Sequence, residues 1–274
     1  MNALPADTHI HTALCHHAEG MPLDYARAAF AKGLPEICIT DHIPAPDGYD
    51  ADSRMAPADY PAYREAVAEA ARAFPDRVRL GIEADYYPGC ETYLREFLAS
   101  KPFDLVLGSV HFIGDWGFDN PANLDRWEKS DVRAVWGRYL VLVRRMAERK
   151  WFDVVSHFDL PKKFGHRLEE SAVRELAAPA LDAIAESGMA VELNTGGWRK
   201  PVKEIYPSLA VLAMIRERGI PILFGSDAHA PAEVGFGFAE AVALARQAGF
   251  SSYVRFKNRT AGAFPLPPGP ETAA

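Results

Sequence analysis

Histidine and carboxylate residues recur in this sequence where apolar runs stop. His9 and His11 close run 6–11 (ADTHIH), Asp41 and His42 end and follow run 36–41 (EICITD), and Glu83 closes run 78–83 (VRLGIE). His111 closes run 103–111 (FDLVLGSVH), His157 closes 152–157 (FDVVSH) and Asn194 closes 189–194 (MAVELN). Asp227 ends 221–227 (PILFGSD), with His229 two residues on. Imidazole nitrogens and carboxylate oxygens together are the donors of zinc, iron and manganese sites. One His beside a strand is usually a hydrogen-bonded structural residue, and His-x-His is common because alternate strand residues share a face. The joint pattern is different, because nearly every run delivers a donor at the same end. These ligands are too many for one tetrahedral ion, so the centre they imply is multinuclear. Two metals about 3.5–4 Å apart, sharing a bridging carboxylate and hydroxide, are suited to hydrolysing phosphate esters.

Such convergence needs a particular scaffold. The runs are almost continuously Val, Ile and Leu, as in parallel strands buried on both faces. Segments between them carry a helical period; Val173, Leu176, Ala177, Ala180, Leu181 and Ile184 share one helical face. Glycines 33, 188, 219 and 249 follow such segments, where a left-handed helix cap is wanted. This is βα repetition, and its strand number predicts closure into a barrel whose C-terminal strand ends form the active face.

Composition narrows the class. A chain of 274 residues fits one α/β barrel, and 49% hydrophobic with 24% charged residues excludes disorder. The net charge of -7 argues against nucleic-acid or membrane-surface partners. No apolar run approaches the roughly 20 residues of a spanning helix, and three scattered cysteines fit a reducing cytoplasm. The oligomeric state is left open.

The motifs DTHIHT, ITDH, GIEADYYPG, LGSVHFIG, SHFDLPKKFG, ELNTGGWRKP and GSDAH resemble those of the PHP (polymerase and histidinol phosphatase) family over nearly the whole chain. LCHHAEG, SRM, DLPKKFGHR and KEIYPS are similar to its monofunctional histidinol-phosphatase branch. The resemblance implies an α/β fold, a distorted (βα)7 TIM-like barrel with its metal site at the C-terminal strand ends. No internal stretch reads as a linker, so residues 1–264 are expected to form a single barrel domain, followed by a Pro-rich, extended or disordered tail over 265–274. The resemblance also implies three divalent transition-metal ions (Zn, Fe or Mn). His9, His11, Glu83 and Asp227 would hold the first, and Glu83 would bridge to a second held by His111 and His157. His17, rather than His16, would join His42 and His229 around the third. The implied reaction is hydrolysis of a phosphate monoester, histidinol phosphate, by a metal-bridging hydroxide.

Beyond the ligands, several polar residues are candidates for the chemistry. Arg199 suits a phosphate clamp because a guanidinium offers two parallel hydrogen bonds. Lys162, Lys163 and the more distant Arg54 are weaker cationic candidates, and Lys200 sits beside Arg199. Asp41 is placed to orient His42 or to protonate a leaving group. The aromatic-rich stretch 112–127 is a candidate lid. Other readings are a PHP phosphoesterase for another small phosphate or nucleotide 3′ ends, an amidohydrolase-type barrel, and a metal-binding module without activity. The lack of a basic track disfavours the nuclease. An amidohydrolase commonly bridges its metals through a carboxylated Lys on the fourth strand, where this chain has His111.

Overall fold

The computed structural model describes residues 4–45 and 48–268. Its strands are β1 (Ile37–Ile39), β2 (Val78–Asp85), β3 (Leu105–Ser109), β4 (Phe112–Ile113) and β5 (Trp116–Gly117). They continue with β6 (Val154–Val155), β7 (Ala190–Asn194), β8 (Ile222–Gly225), β9 (Ser252–Lys257) and β10 (Thr260–Pro265). Six of them form one parallel sheet in the order β1-β2-β3-β6-β7-β8. Helices α1 (Pro22–Ala31), α2 (Tyr60–Ala73), α3 (Glu91–Ala99) and α4 (Leu124–Glu128) precede the longer α5 (Val132–Glu148) and α6 (Glu170–Ser187). The last two are α7 (Leu209–Glu217) and α8 (Phe238–Gln247). Gly188 ends α6 at φ 79°, as its left-handed cap requires.

Run 6–11 closes the sheet without forming a regular strand. Asp7 pairs with Ile37 and Ile10 with Ala228, both parallel, so the run fills the gap between β8 and β1. Its ladder is interrupted because the Ile10 N–H donates to Thr40 Oγ1 at 3.0 Å instead of to backbone. The result is the expected seven-membered α/β barrel, with one member irregular. Regular pairing also stops before several donors. His157 and Asp227 adopt φ 21° and φ 53°, and this left-handed backbone turns the chain across the barrel mouth.

Alternation then sorts the inward positions. On β2, Gly81, Glu83 and Asp85 share a face, as do Ala190, Glu192 and Asn194 on β7. At the opposite end, Cys38, Leu105, Leu107, Val154, Ala190 and Leu223 pack with Val254 and Phe256 into a small apolar core. The last two belong to the β9–β10 hairpin, an antiparallel pair the sequence reading did not foresee. Its turn latches onto the barrel floor: Arg259 binds Asp153 and the Trp151 carbonyl, and the Asn258 N–H donates to Asp104 Oδ1 at 3.0 Å. The same hairpin reaches one residue into the Pro-rich stretch that starts at 265. Pro265 ends β10, and buried Leu266 accepts from Arg246 through its carbonyl. Residues 269–274 lie outside the described residues. Among the described residues, no helix is long and apolar enough to cross a membrane.

Candidate metal centre

The C-terminal mouth gathers the histidines and carboxylates into one buried cluster. His9 Nε2 lies 3.0 Å from His11 Nε2, 3.4 Å from Glu83 Oε2 and 3.8 Å from Asp227 Oδ1. His11 Nε2 is 3.5 Å from Glu83 Oε2 and 3.3 Å from Asp227 Oδ1. Metal–ligand bonds of about 2.0–2.2 Å set tetrahedral ligand atoms about 3.3–3.6 Å apart, which is the spacing these four atoms approach. The second Glu83 oxygen faces elsewhere: Oε1 is 3.2 Å from His157 Nε2 and 3.6 Å from His111 Nε2. Glu83 therefore spans two imidazole groups. Its buried Oε2 accepts no hydrogen bond although three imidazoles surround it, the nearest being His42 Nδ1 at 3.0 Å. An unpaired buried carboxylate oxygen is costly, and a cation beside it removes the cost.

A third group sits toward solvent. His17 Nε2 and His229 Nε2 are 3.0 Å apart. Each Nδ1 is engaged by a carbonyl, that of Cys15 for His17 and that of Asp227 for His229, which turns both Nε2 atoms inward. His42 stands between the groups, its ring 5.4 Å from those of both His17 and His111. His16, by contrast, is exposed and caps a short helical turn.

Burial and close opposite charges shift the whole cluster. Burial would raise Glu83 and Asp227, but the surrounding imidazoles hold both carboxyls well below the usual range. Burial also pushes His42 and His229 well below the ordinary imidazole value, while neighbouring carboxylates raise His9, His11 and His111 against their own burial. Behind the donors are partners that sequence reading overlooked. Glu192 Oε1 is 2.8 Å from His9 Nδ1, and Asp85 Oδ1 is 2.5 Å from His111 Nδ1. A signal for both existed. Each is a charged residue within an apolar strand, two positions from a candidate site residue on the same face, where a buried charge must have a partner.

Above the cluster lies a cleft of about 470 Å³, walled by Asp50, Phe112, Asp119, Lys163, Lys200 and Tyr206. Lys163 lines it, held by Asp119 at 3.0 Å. Lys200 is the second cation of the wall, and burial lowers its pKa. Four other candidates point elsewhere. Arg199 donates from Nη2 to the carbonyls of Ser226 and Asp227 at 2.9 and 2.8 Å and pairs with Glu233, so it braces the Asp227 backbone. Lys162 is buried against Asp159, Glu204 and the Ile205 carbonyl, which absorb all of its charge. Arg54 is buried on Asp85 at 2.6 Å, a step behind His111. Asp41 accepts from both the backbone and hydroxyl of Thr12, and its nearest site imidazole is His11 at 3.8 Å rather than His42. Burial, then the Cys15 sulfur, raises it to about 7, but it is sealed away from the cleft. From stretch 112–127, Phe112, Gly117 and Asp119–Pro121 do line the cleft.

The PHP domain model matches residues 7–196, and the PHP-associated model matches 211–247. A probable histidinol-phosphatase of Deinococcus radiodurans is 46% identical, covering 92% of this chain and 96% of its own length. The histidinol-phosphatase of Bacillus subtilis is 28% identical over 85% of this chain and 96% of its own. Among solved structures, a histidinol phosphate phosphatase of Lactococcus lactis, crystallised with zinc, L-histidinol and phosphate, superimposes with TM-score 0.81. It shares 22% identity and covers 94% of this chain and 98% of its own. The chain belongs to the PHP family.

Proposed function

We propose that this chain is a histidinol-phosphatase, a phosphoric monoester hydrolase that converts L-histidinol phosphate to L-histidinol and inorganic phosphate in histidine biosynthesis. The substrate rests on relatives of that name, one of them 46% identical along nearly its full length. The observation that carries the chemistry is Glu83, whose two oxygens face separate imidazole groups on the floor of the cleft.

The donor set suits zinc, iron or manganese. His9, His11, Glu83 and Asp227 would hold one ion; Glu83, His111 and His157 a second; His17, His229 and His42 a third. Bound ions supply Lewis acidity and bring the pKa of water from about 15.7 toward 7. The chain itself does the positioning. Glu192 and Asp85 engage the outer nitrogens of His9 and His111 so that Nε2 of each faces inward. Lys163 and Lys200 present positive charge to a phosphate entering the cleft, and Asp119 fixes the first of them. With ions held by these residues the charges of Glu83 and Asp227 would be offset, which would let an acidic protein attract a dianion.

The test is phosphate release from histidinol phosphate beside a panel of other small phosphate monoesters. This reading expects kcat/KM for histidinol phosphate to exceed the rest by at least about 100-fold, near 3 kcal/mol of discrimination. Equal rates across the panel would leave a general phosphatase.

A further inference from the structure

We infer that Glu192 is a positioning residue that ties two of the ligand groups together from beneath. Its carboxylate is completely buried in the barrel. Oε1 lies 2.8 Å from His9 Nδ1, while Oε2 accepts the His157 backbone N–H at 3.0 Å and Asn194 Nδ2 at 3.1 Å. His9 belongs to the first donor group and His157 to the second, so one side chain sets a ring in one and a backbone in the other.

The backbone it sets is unusual. His157 has φ 21°, a region that residues with a Cβ rarely adopt and that persists only where surroundings hold it. The Oε2 contact is such a hold. The Asn194 contact is itself oriented, because Asn194 Oδ1 accepts the Gly196 N–H at 2.9 Å and leaves Nδ2 to face Glu192. Room for the carboxylate comes from Gly225 on the next strand, where a Cβ would fall 1.8 Å from Glu192 Oε1.

With His9 ligating through Nε2, every neighbour of the carboxylate is a donor. An amide cannot serve them all. In a Glu192→Gln side chain, turning the amide oxygen to His9 sets its NH2 against the His157 N–H and Asn194. The opposite turn sets it against the His9 Nδ1–H. Either way a donor faces a donor, although size and shape are unchanged.

The inference rests on the metal reading above, and its experiment separates the two. Zinc affinity is measured by chelator competition on the wild type and on Glu192→Gln, with circular dichroism of both metal-free proteins. Wild type should bind zinc, and Glu192→Gln should bind it about 10–100-fold more weakly with an unchanged metal-free spectrum. Equal affinity in the two proteins overturns the positioning role while sparing the metal reading; no zinc binding by the wild type overturns the metal reading itself. Nitrogen NMR of the zinc-loaded wild type needs no variant. It should find His9 protonated at Nδ1 and coordinated through Nε2, and the reverse assignment rejects Glu192 as the orienting group.

Discussion

The two ends of the barrel are built from the same strands to opposite purposes. At the floor, Val254 and Phe256 of the hairpin cap Leu105, Val154 and Leu223 in an apolar plug. At the mouth, alternation along β2 and β7 delivers Glu83 and Glu192, and irregular backbone adds His9 and His157, all buried and polar. Apolar burial stabilises the fold at roughly 25 cal/mol per Å², whereas buried carboxylates and imidazoles oppose folding unless partnered. The plug seals one end and the donor groups gather at the other, while the larger apolar cluster joins strands to helices.

The strongest disturbance of the mouth is Glu83→Ala. Because Glu83 serves two donor groups, metal content and turnover should fall together, turnover by about 10³-fold or more. Elemental analysis beside steady-state kinetics checks this, and full loading with near-normal turnover would contradict the spanning role.

The matching disturbance of the floor is Phe256→Ala. It removes an aromatic ring from the plug and should lower stability by about 3 kcal/mol in denaturant unfolding. Metal content per folded chain should not change. Loss of metal in that variant would show that the two ends are coupled.

A smaller effect separates cleft wall from scaffold. Lys200→Ala should raise KM about tenfold with metal content intact, since Lys200 lines the cleft. Arg199→Ala should instead reduce metal content, because Nη2 of Arg199 holds the carbonyls of Ser226 and Asp227 in a segment where Asp227 has φ 53°. An Arg199→Ala protein with full metal and a raised KM would restore that residue as a phosphate clamp.

These contrasts also mark what could be read before any coordinates. The barrel and its donor face were legible because histidines and acids stand out at the ends of Val/Ile/Leu runs, and period-two alternation fixes which residues share a face. The direction of the cations was not. Arg199 and Lys200 are neighbours in one loop, yet one braces backbone and the other faces the cleft, a choice set by Glu233 and by carbonyls far away in sequence. Lys162 and Lys163 divide in the same way, drawn apart by Asp159 and Asp119. The hairpin was missed because β10 reads as small and exposed residues, and its value to the fold lies in what β9 covers.

Metal removal tests the central claim most directly. The purified protein is assayed for phosphate release from histidinol phosphate as isolated, after exhaustive chelation, and after zinc, iron or manganese is returned. The account predicts that activity disappears with the metal and returns with at least one of the three. The stripped protein should also melt several degrees lower, since ligand at 100 times its Kd contributes about 2.7 kcal/mol. Unchanged turnover in protein shown by elemental analysis to be metal-free would contradict it.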